Sequence, residues 1–234
     1  MLLGEQMANT SRAALLSSEL RTTASELQQK HHETGYKLIQ INHLEEIFPQ
    51  GIRRGATLEI TGARSSGRLS VSLPILVAAT GGGEVCAVVD LHNSFDPAAA
   101  VMAGVQLERM IWVRCGGNIE HAIRATDLLL HAGGFGVVAL DLCEANALQL
   151  NRIPLSYWHR FRRAIEHTPT VLLVIADSPQ AKASSGGSIH TKRKGILWSG
   201  SRATPLLEGL EIYATAGSKV SPIRAQPLFF QTVA

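Results

Sequence analysis

Residues 56–70 have the spacing of a phosphate-binding glycine loop. A short run of strand-forming residues, 56–61, precedes a turn that contains Gly62 and Gly67, and an apolar run that can continue as a helix follows. Strand, glycine loop and helix form the context in which backbone amides cradle nucleotide phosphates. The sequence therefore predicts a nucleotide-type loop, and a chance pair of glycines in a strand-to-helix turn is the alternative.

The positions after the second glycine lack the chemistry of a working loop. A lysine normally places a compact charge between phosphates, but Arg68 stands here, and its planar fork does not substitute freely. The next position should bind Mg²⁺ through a hydroxyl; Leu69 has no oxygen, and Ser70 comes one residue late. We therefore interpret the loop as degenerate and predict no catalytic residue and no metal site. The candidate nucleotide-binding residues are Gly62, Ser65, Ser66, Gly67, Arg68, Leu69, Ser70 and Asp141.

Alternating strands and helices are predicted to position this loop. Apolar runs at 85–90, 110–113, 135–142 and 168–176 indicate strands buried in a parallel sheet, and helical patterns lie between them. Ligands of such sheets sit at the carboxyl ends of strands, where Asp90, Asp141 and Asp177 also fall. The predicted fold class is α/β, with a mainly parallel sheet flanked by helices.

Two domains are predicted. Residues 1–35 form an N-terminal helix and linker, and residues 36–234 form the core. Leu16, Leu20 and Leu27 share one face of that helix. Within the core, the polar, glycine-rich and basic stretch at about 180–195 is predicted to be a mobile loop, followed by short strands at 209–215 and 227–233.

Composition excludes several classes of protein. The 234 residues are 45% hydrophobic and 18% charged, which suits one globular α/β core, and the net charge of +3 is compatible with nucleic acid. The odd number of cysteines, three, favours reduced thiols, and their spacing does not suggest zinc. We expect a cytoplasmic protein that does not enter membranes, because neither a signal peptide nor an apolar run of about 20 residues is evident.

Several blocks together resemble the RecA family, over roughly residues 40–180. The stretch GIRRGATLEITGARSSGRLS at 51–70 resembles the segment that leads into the RecA P-loop, CAVVDLHNSFDP at 86–97 resembles the next strand and its turn, and FGVVALDL at 135–142 resembles the Walker B strand. The resemblance implies a RecA-like P-loop NTPase fold. It also implies that Asp141 matches the acid that holds Mg²⁺ through water.

The departures from the RecA pattern concern the ATPase residues. The glutamate that orients the attacking water falls at His92, a poor replacement for a carboxylate base. The glutamine that relays nucleotide state falls at Asp177. The basic stretch lies where RecA has a DNA-binding loop, and a solubilising loop is the alternative. The candidate DNA-binding residues are Lys182, His190, Lys192, Arg193 and Lys194.

A RecA-like domain with a degenerate loop and a short N-terminal helix looks like the ImuA family. This resemblance implies a non-catalytic accessory of SOS-induced, error-prone translesion synthesis. Its implied partners are an ImuB-like polymerase accessory, an error-prone DNA polymerase and RecA, with single-stranded DNA as a further candidate. Leu16, Leu20 and Leu27 would form the partner contact, and packing of this helix on the protein's own core is the alternative.

No cofactor is expected, and residual ATP binding is left open. Two alternative functions are an active DNA-dependent ATPase or recombinase of the RecA family, and a cell-division inhibitor of the SulA type.

Overall fold

The computed structural model describes residues 39, 44, 45, 47–49, 51–181, 186–201, 204–216 and 219–225. The strands in these residues are β1 (Thr57–Thr61), β2 (Val85–Asp90), β3 (Met110–Arg114), β4 (Phe135–Asp141), β5 (Val171–Ala176), β6 (Gly187–Ser201), β7 (Thr204–Ala216) and β8 (Lys219–Ala225). The helices are α1 (Arg68–Gly81), α2 (Pro97–Ala103), α3 (Ile119–Ala132), α4 (Ala147–Leu150) and α5 (Leu155–Ile165), with a 3-10 turn at Leu107–Arg109.

All strands in the described residues belong to one sheet, in the order β3-β2-β4-β5-β1-β6-β7-β8. In this order, all neighbouring strands between β3 and β6 are parallel to each other. Strands β6 and β7 pair antiparallel, as do β7 and β8. The predicted α/β class, with a mostly parallel sheet flanked by helices, is confirmed. The carboxyl end of β1 lies between the ends of β5 and β6, so the glycine loop emerges beside both.

Helices cover both faces of the sheet. Successive strand residues point to opposite faces: Leu58 and Ile60 pack with the buried side of α1, whereas Val89 and Leu140 pack with α3 and α5. Strands β4 and β5 are buried along their whole length, which explains their continuous apolar sequences. No helix in the described part of the chain has the length and apolar character that a membrane crossing requires.

Local sequence signals set several helix ends. Asn118 caps α3, its side-chain oxygen accepting hydrogen bonds from the amides of Glu120 and His121. Helix α2 begins with Pro97 after an Asp96 cap. A proline inside a helix removes a hydrogen bond, but Pro74 lies within α1 without delaying its start, since the helix already begins at Arg68.

The prediction of a mobile loop at about 180–195 is wrong for residues 187–195. They form the first part of β6. Residues Gly187–His190 of this strand pair with β1, and the residues from His190 onward pair with β7. Only His190 pairs with both neighbouring strands, and Ile189 and Thr191 are buried while the basic side chains stay exposed. The glycines and cations of this stretch led to the prediction of a loop, although alternating polar and apolar residues, as at 188–190, are typical of a half-buried strand.

Other predictions fall on residues that the structure does not describe. The N-terminal helix with Leu16, Leu20 and Leu27, Lys182 in the basic stretch, and the strand at 227–233 lie outside the described residues. In the C-terminal part, the strand predicted at 209–215 extends over Thr204–Ala216, and β8 was not predicted. The short helix α4 was also missed.

Candidate functional site

The two glycines of the loop are required by strands that press against it. Gly62 has φ +156°, and a Cβ there would lie 2.4 Å from both the Ser66 and the Thr191 hydroxyl oxygens. Gly67 has φ +92°, and a Cβ there would lie 2.7 Å from the Ile212 side chain. Contacts this short do not occur between real side chains, so the glycine pair is a requirement of this packing and not a chance spacing.

Arg68, the first residue of α1, turns back onto the loop. Its Nη1 atom donates to the Gly62 carbonyl oxygen at 2.8 Å and also contacts the Asp177 carboxylate in an ion pair. The guanidinium is buried, whereas Asp177 is partly open to solvent. A phosphate approaching this cation would compete with a carboxylate of the same chain. Arg68 is thus at the predicted place, but its charge is already neutralised.

The other candidate residues of the loop either form hydrogen bonds within the protein or are exposed to solvent. The Ser66 hydroxyl lies 2.7 Å from that of Thr191, which in turn donates to the Thr61 carbonyl at 3.1 Å. Ser65 adopts a left-handed backbone conformation and is exposed. Leu69 is 50% exposed on the surface of α1, next to the half-buried Ser70. The candidate nucleotide-binding residues therefore do not converge as a set of free donors.

Asp141 belongs to a hydrogen-bonded network at the ends of β2 and β4. Its carboxylate accepts from the Ser94 hydroxyl and from the Cys143 amide, both at 2.8 Å. Ser94 also contacts the neighbouring Asp90, which accepts further hydrogen bonds from two backbone amides and the Trp112 indole. Both acids are buried and accept hydrogen bonds from protein donors, so both contribute to the structure at the ends of these strands.

Two further observations concern this edge of the sheet. Burial, reinforced by the charge of Asp141, raises the pKa of the Cys143 thiol well above its ordinary value, so this cysteine is no activated nucleophile. His92 is exposed in the turn after β2. Among the described residues, no group of three or more His, Cys, Asp and Glu side chains is arranged to hold a metal ion.

The basic residues of β6 are brought to the glycine loop. An open cleft of about 830 Å³ lies at the loop, and its lining residues are Ala63, Arg64, Ser66, Asp177, His190, Thr191, Lys192 and Arg193. Lys194 instead lies 3.5 Å from the Glu211 carboxylate and 5.5 Å from the centre of the Tyr213 ring. The structure thus places His190, Lys192 and Arg193 together and turns Lys194 to other partners.

Sequence reasoning missed three residues of this site: Thr191, Ser94 and Arg64. Thr191 and Ser94 join elements that are far apart in the chain, as in the 125-residue separation between Ser66 and Thr191. In the sequence Thr191 stands between the candidates His190 and Lys192, whereas Ser94 has no candidate residue beside it. Arg64, at the exposed tip of the loop, lies 3.4 Å from Glu144 and adds a further cation to the cleft.

Residues 46–150 match the family model of the RecA N-terminal domain. Over 95 residues the chain is 33% identical to Protein RecA of Rickettsia canadensis, 35% to that of Methylococcus capsulatus and 33% to that of Laribacter hongkongensis. This part of the core is RecA-like. Each of these matches covers 41% of this chain, which spans 27% of the length of the relative. The glycine loop, His92 and Asp141 lie inside the matched residues, and β6 lies outside them.

The contact between Gly67 and Ile212 yields a stability prediction with a matched control. Gly67→Ala should lower the free energy of unfolding more than Gly83→Ala. Both glycines have a left-handed backbone, which costs alanine roughly 1–2 kcal/mol, but a Cβ at Gly83 meets open space. The clash with Ile212 should add about 1–3 kcal/mol. Urea unfolding of the two variants measures the difference, and equal losses would contradict the packing of β7 on the loop.

Proposed function

We propose that this protein is a non-catalytic RecA-like accessory factor in SOS-induced DNA repair and error-prone translesion synthesis, where it acts as an adaptor. The observation that carries the proposal is the engagement of Arg68 by the Gly62 carbonyl and the Asp177 carboxylate. The loop cation of a working ATPase meets the β- and γ-phosphates. Here that charge is neutralised internally, and Leu69 supplies no oxygen for Mg²⁺.

The alternative function, an active DNA-dependent ATPase or recombinase, is favoured by the RecA-like match but opposed by the site. His92 stands at the position of the water-orienting glutamate, and Asp141 is already bonded by Ser94 and Cys143. Hydrolysis needs both a positioned water and a metal held between phosphates. The adaptor function requires neither. No observation on the described residues favours a cell-division inhibitor.

The protein should show no Mg²⁺-dependent ATP hydrolysis above background, with or without single-stranded DNA. The double variant Arg68→Lys, Leu69→Thr should not restore activity, because His92 remains and no carboxylate base is created. Phosphate release measured beside an active RecA protein checks both expectations. Turnover of about 1 s⁻¹ or faster, the lower end of ordinary enzyme rates, would support the ATPase instead. Hydrolysis by the double variant alone would show that His92 does not limit the site.

The adaptor role implies protein partners, and the N-terminal helix is the proposed contact. Its leucines Leu16, Leu20 and Leu27 would occupy a groove on the partner, as amphipathic helices commonly do. The proposed partners remain an ImuB-like polymerase accessory, an error-prone DNA polymerase and RecA. The resemblance to the ImuA family supports this set, while the RecA-like core supports the link to DNA repair.

Replacing Leu20 and Leu27 by Asp should reduce capture of a co-expressed ImuB-like protein at least tenfold, because each charge would have to enter an apolar groove. Leu148→Asp is the control, since Leu148 is 76% exposed on α4 and its replacement should leave capture unchanged. Capture is measured by affinity purification and quantitative immunoblotting. A large fall in the melting temperature of the purified double variant would assign the leucines to the protein's own core.

Single-stranded DNA is the proposed nucleic-acid ligand of the cleft. His190, Lys192 and Arg193 line it together with Arg64, and none of these residues is buried. Cations at a cleft release counterions from the phosphate backbone, so the affinity should depend on salt and not on base sequence. Lys182 belongs to the same proposal, and it lies outside the described residues.

The double variant Lys192→Ala, Arg193→Ala should lower the log–log salt slope for single-stranded DNA by about 1.4, at roughly 0.7 per phosphate contact. Lys194→Ala is the matched control. Its ammonium already faces Glu211 and the Tyr213 ring, so the slope should change less than for either neighbour. Fluorescence anisotropy across a salt series measures the slopes. Equal slopes for the wild type and the double variant would place any DNA contact elsewhere.

A further inference from the structure

The strands β6 and β7 extend past the sheet as a two-stranded ribbon. Strand β1 ends at Thr61, opposite His190, and from Thr191 to Ser201 strand β6 pairs only with β7. Strand β8 covers β7 only from Leu210 onward. The outer half of the ribbon therefore has no further strand on either side among the described residues. It carries Trp198, whose side chain is 59% exposed.

The strand register assigns Trp198 to the face of the ribbon that looks toward the glycine loop. Paired residues share a face, and successive pairs alternate between faces. Thr191, which contacts Ser66, defines the loop face, and Arg193, Ile196 and Trp198 follow on it once the two register shifts are included. Those register shifts, at residues 193–195 and 197–198, keep Ile196 and Trp198 on the same face as Thr191 and Arg193.

The loop face of the ribbon thus extends from the cleft, where Arg64 and Arg193 lie, to the exposed ring of Trp198. Arg193 lines the cleft with Arg64, and Trp198 stands five positions farther along β6, at about 16 Å for roughly 3.3 Å per residue. Asp177 is the acid among the lining residues and pairs with the buried Arg68, whereas the pair of Arg64 with Glu144 is exposed to solvent and therefore weak. A basic groove followed by an exposed aromatic is the composition of single-strand binding surfaces.

We propose that this face binds single-stranded DNA, with Trp198 stacking on a base while Arg64 and Arg193 contact phosphates. The inference rests on the DNA contact proposed above and adds a residue that recognises a base rather than a charge. A duplex keeps its bases stacked inside, so a stacking contact selects single strands. The adjacent cations favour a polyanion over an apolar protein partner for this surface.

The test compares the binding of a fluorescein-labelled oligo(dT) at low salt by the wild type and three variants. Trp198→Ala should weaken binding about tenfold with an unchanged salt slope, because stacking releases no counterions. Trp198→Phe should keep most of the affinity. Leu206→Ala should bind as the wild type, since Leu206 is 60% exposed on the same ribbon but pairs with Ser199 on the opposite face.

Intrinsic fluorescence supplies a second readout. Trp158 is buried and Trp112 is bonded to Asp90, so oligo(dT) should quench mainly Trp198, and Trp198→Phe should abolish most of the quenching. Equal affinities of Trp198→Ala and the wild type, or equal losses in Trp198→Ala and Leu206→Ala, would overturn the inference. Reduced capture of the ImuB-like protein with unchanged DNA binding would assign the ribbon to a protein contact and also overturn it.

Failure of this inference is distinguishable from failure of the proposed function. If the wild type does not bind oligo(dT) even at low salt, the proposed stacking of Trp198 on a base is wrong. The adaptor role is still decided by capture of the ImuB-like protein. If that capture fails while Trp198→Ala weakens DNA binding as expected, the stacking of Trp198 is supported and the adaptor role is contradicted.

Discussion

The candidate site depends on the packing of the β6–β7 ribbon against the glycine loop. Thr191 of β6 contacts the Ser66 hydroxyl and the Thr61 carbonyl, and Ile212 of β7 covers Gly67. Because a side chain at either loop glycine would collide with the ribbon, the loop conformation and the ribbon position are fixed together. The same contact brings the cations of β6 to the loop. The packing of the ribbon on the loop therefore determines both the conformation of the loop and the position of the cations in the cleft.

Inside this packing, buried charges and acids are paired within the chain. A guanidinium as buried as that of Arg68 needs a partner, since an unpaired buried charge is strongly unfavourable. It finds the Gly62 carbonyl and the Asp177 carboxylate at the ends of the adjacent strands β1 and β5. Ser94 similarly bridges Asp90 and Asp141. Internal contacts thus occupy the sheet edge where α/β proteins usually bind ligands.

The sequence predicted what depends on local pattern and missed what depends on distant partners. Strands β2, β4 and β5 were recognisable because continuous apolar runs report burial on both faces. The ion pair of Arg68 could not be predicted, because Asp177 lies 109 residues away and only the sheet order makes them neighbours. Strand β6 was missed because its glycines and cations suggest a loop, while its structure depends on pairing with β1 and β7.

The RecA-like core can lose ATPase chemistry without losing its fold, because different residues carry the two properties. The sheet is stabilised by apolar burial in β2, β4 and β5, to which the positions of Leu69 and His92 contribute little, since both are exposed. Replacing a magnesium ligand or a base at such positions leaves the core packing intact. The cationic and aromatic residues of β6 lie outside the residues that match the RecA family model, so that match does not cover the part of the site that faces DNA in our proposal. Under the adaptor function proposed above, exposed residues of the site would change while the buried residues that stabilise the sheet stay the same.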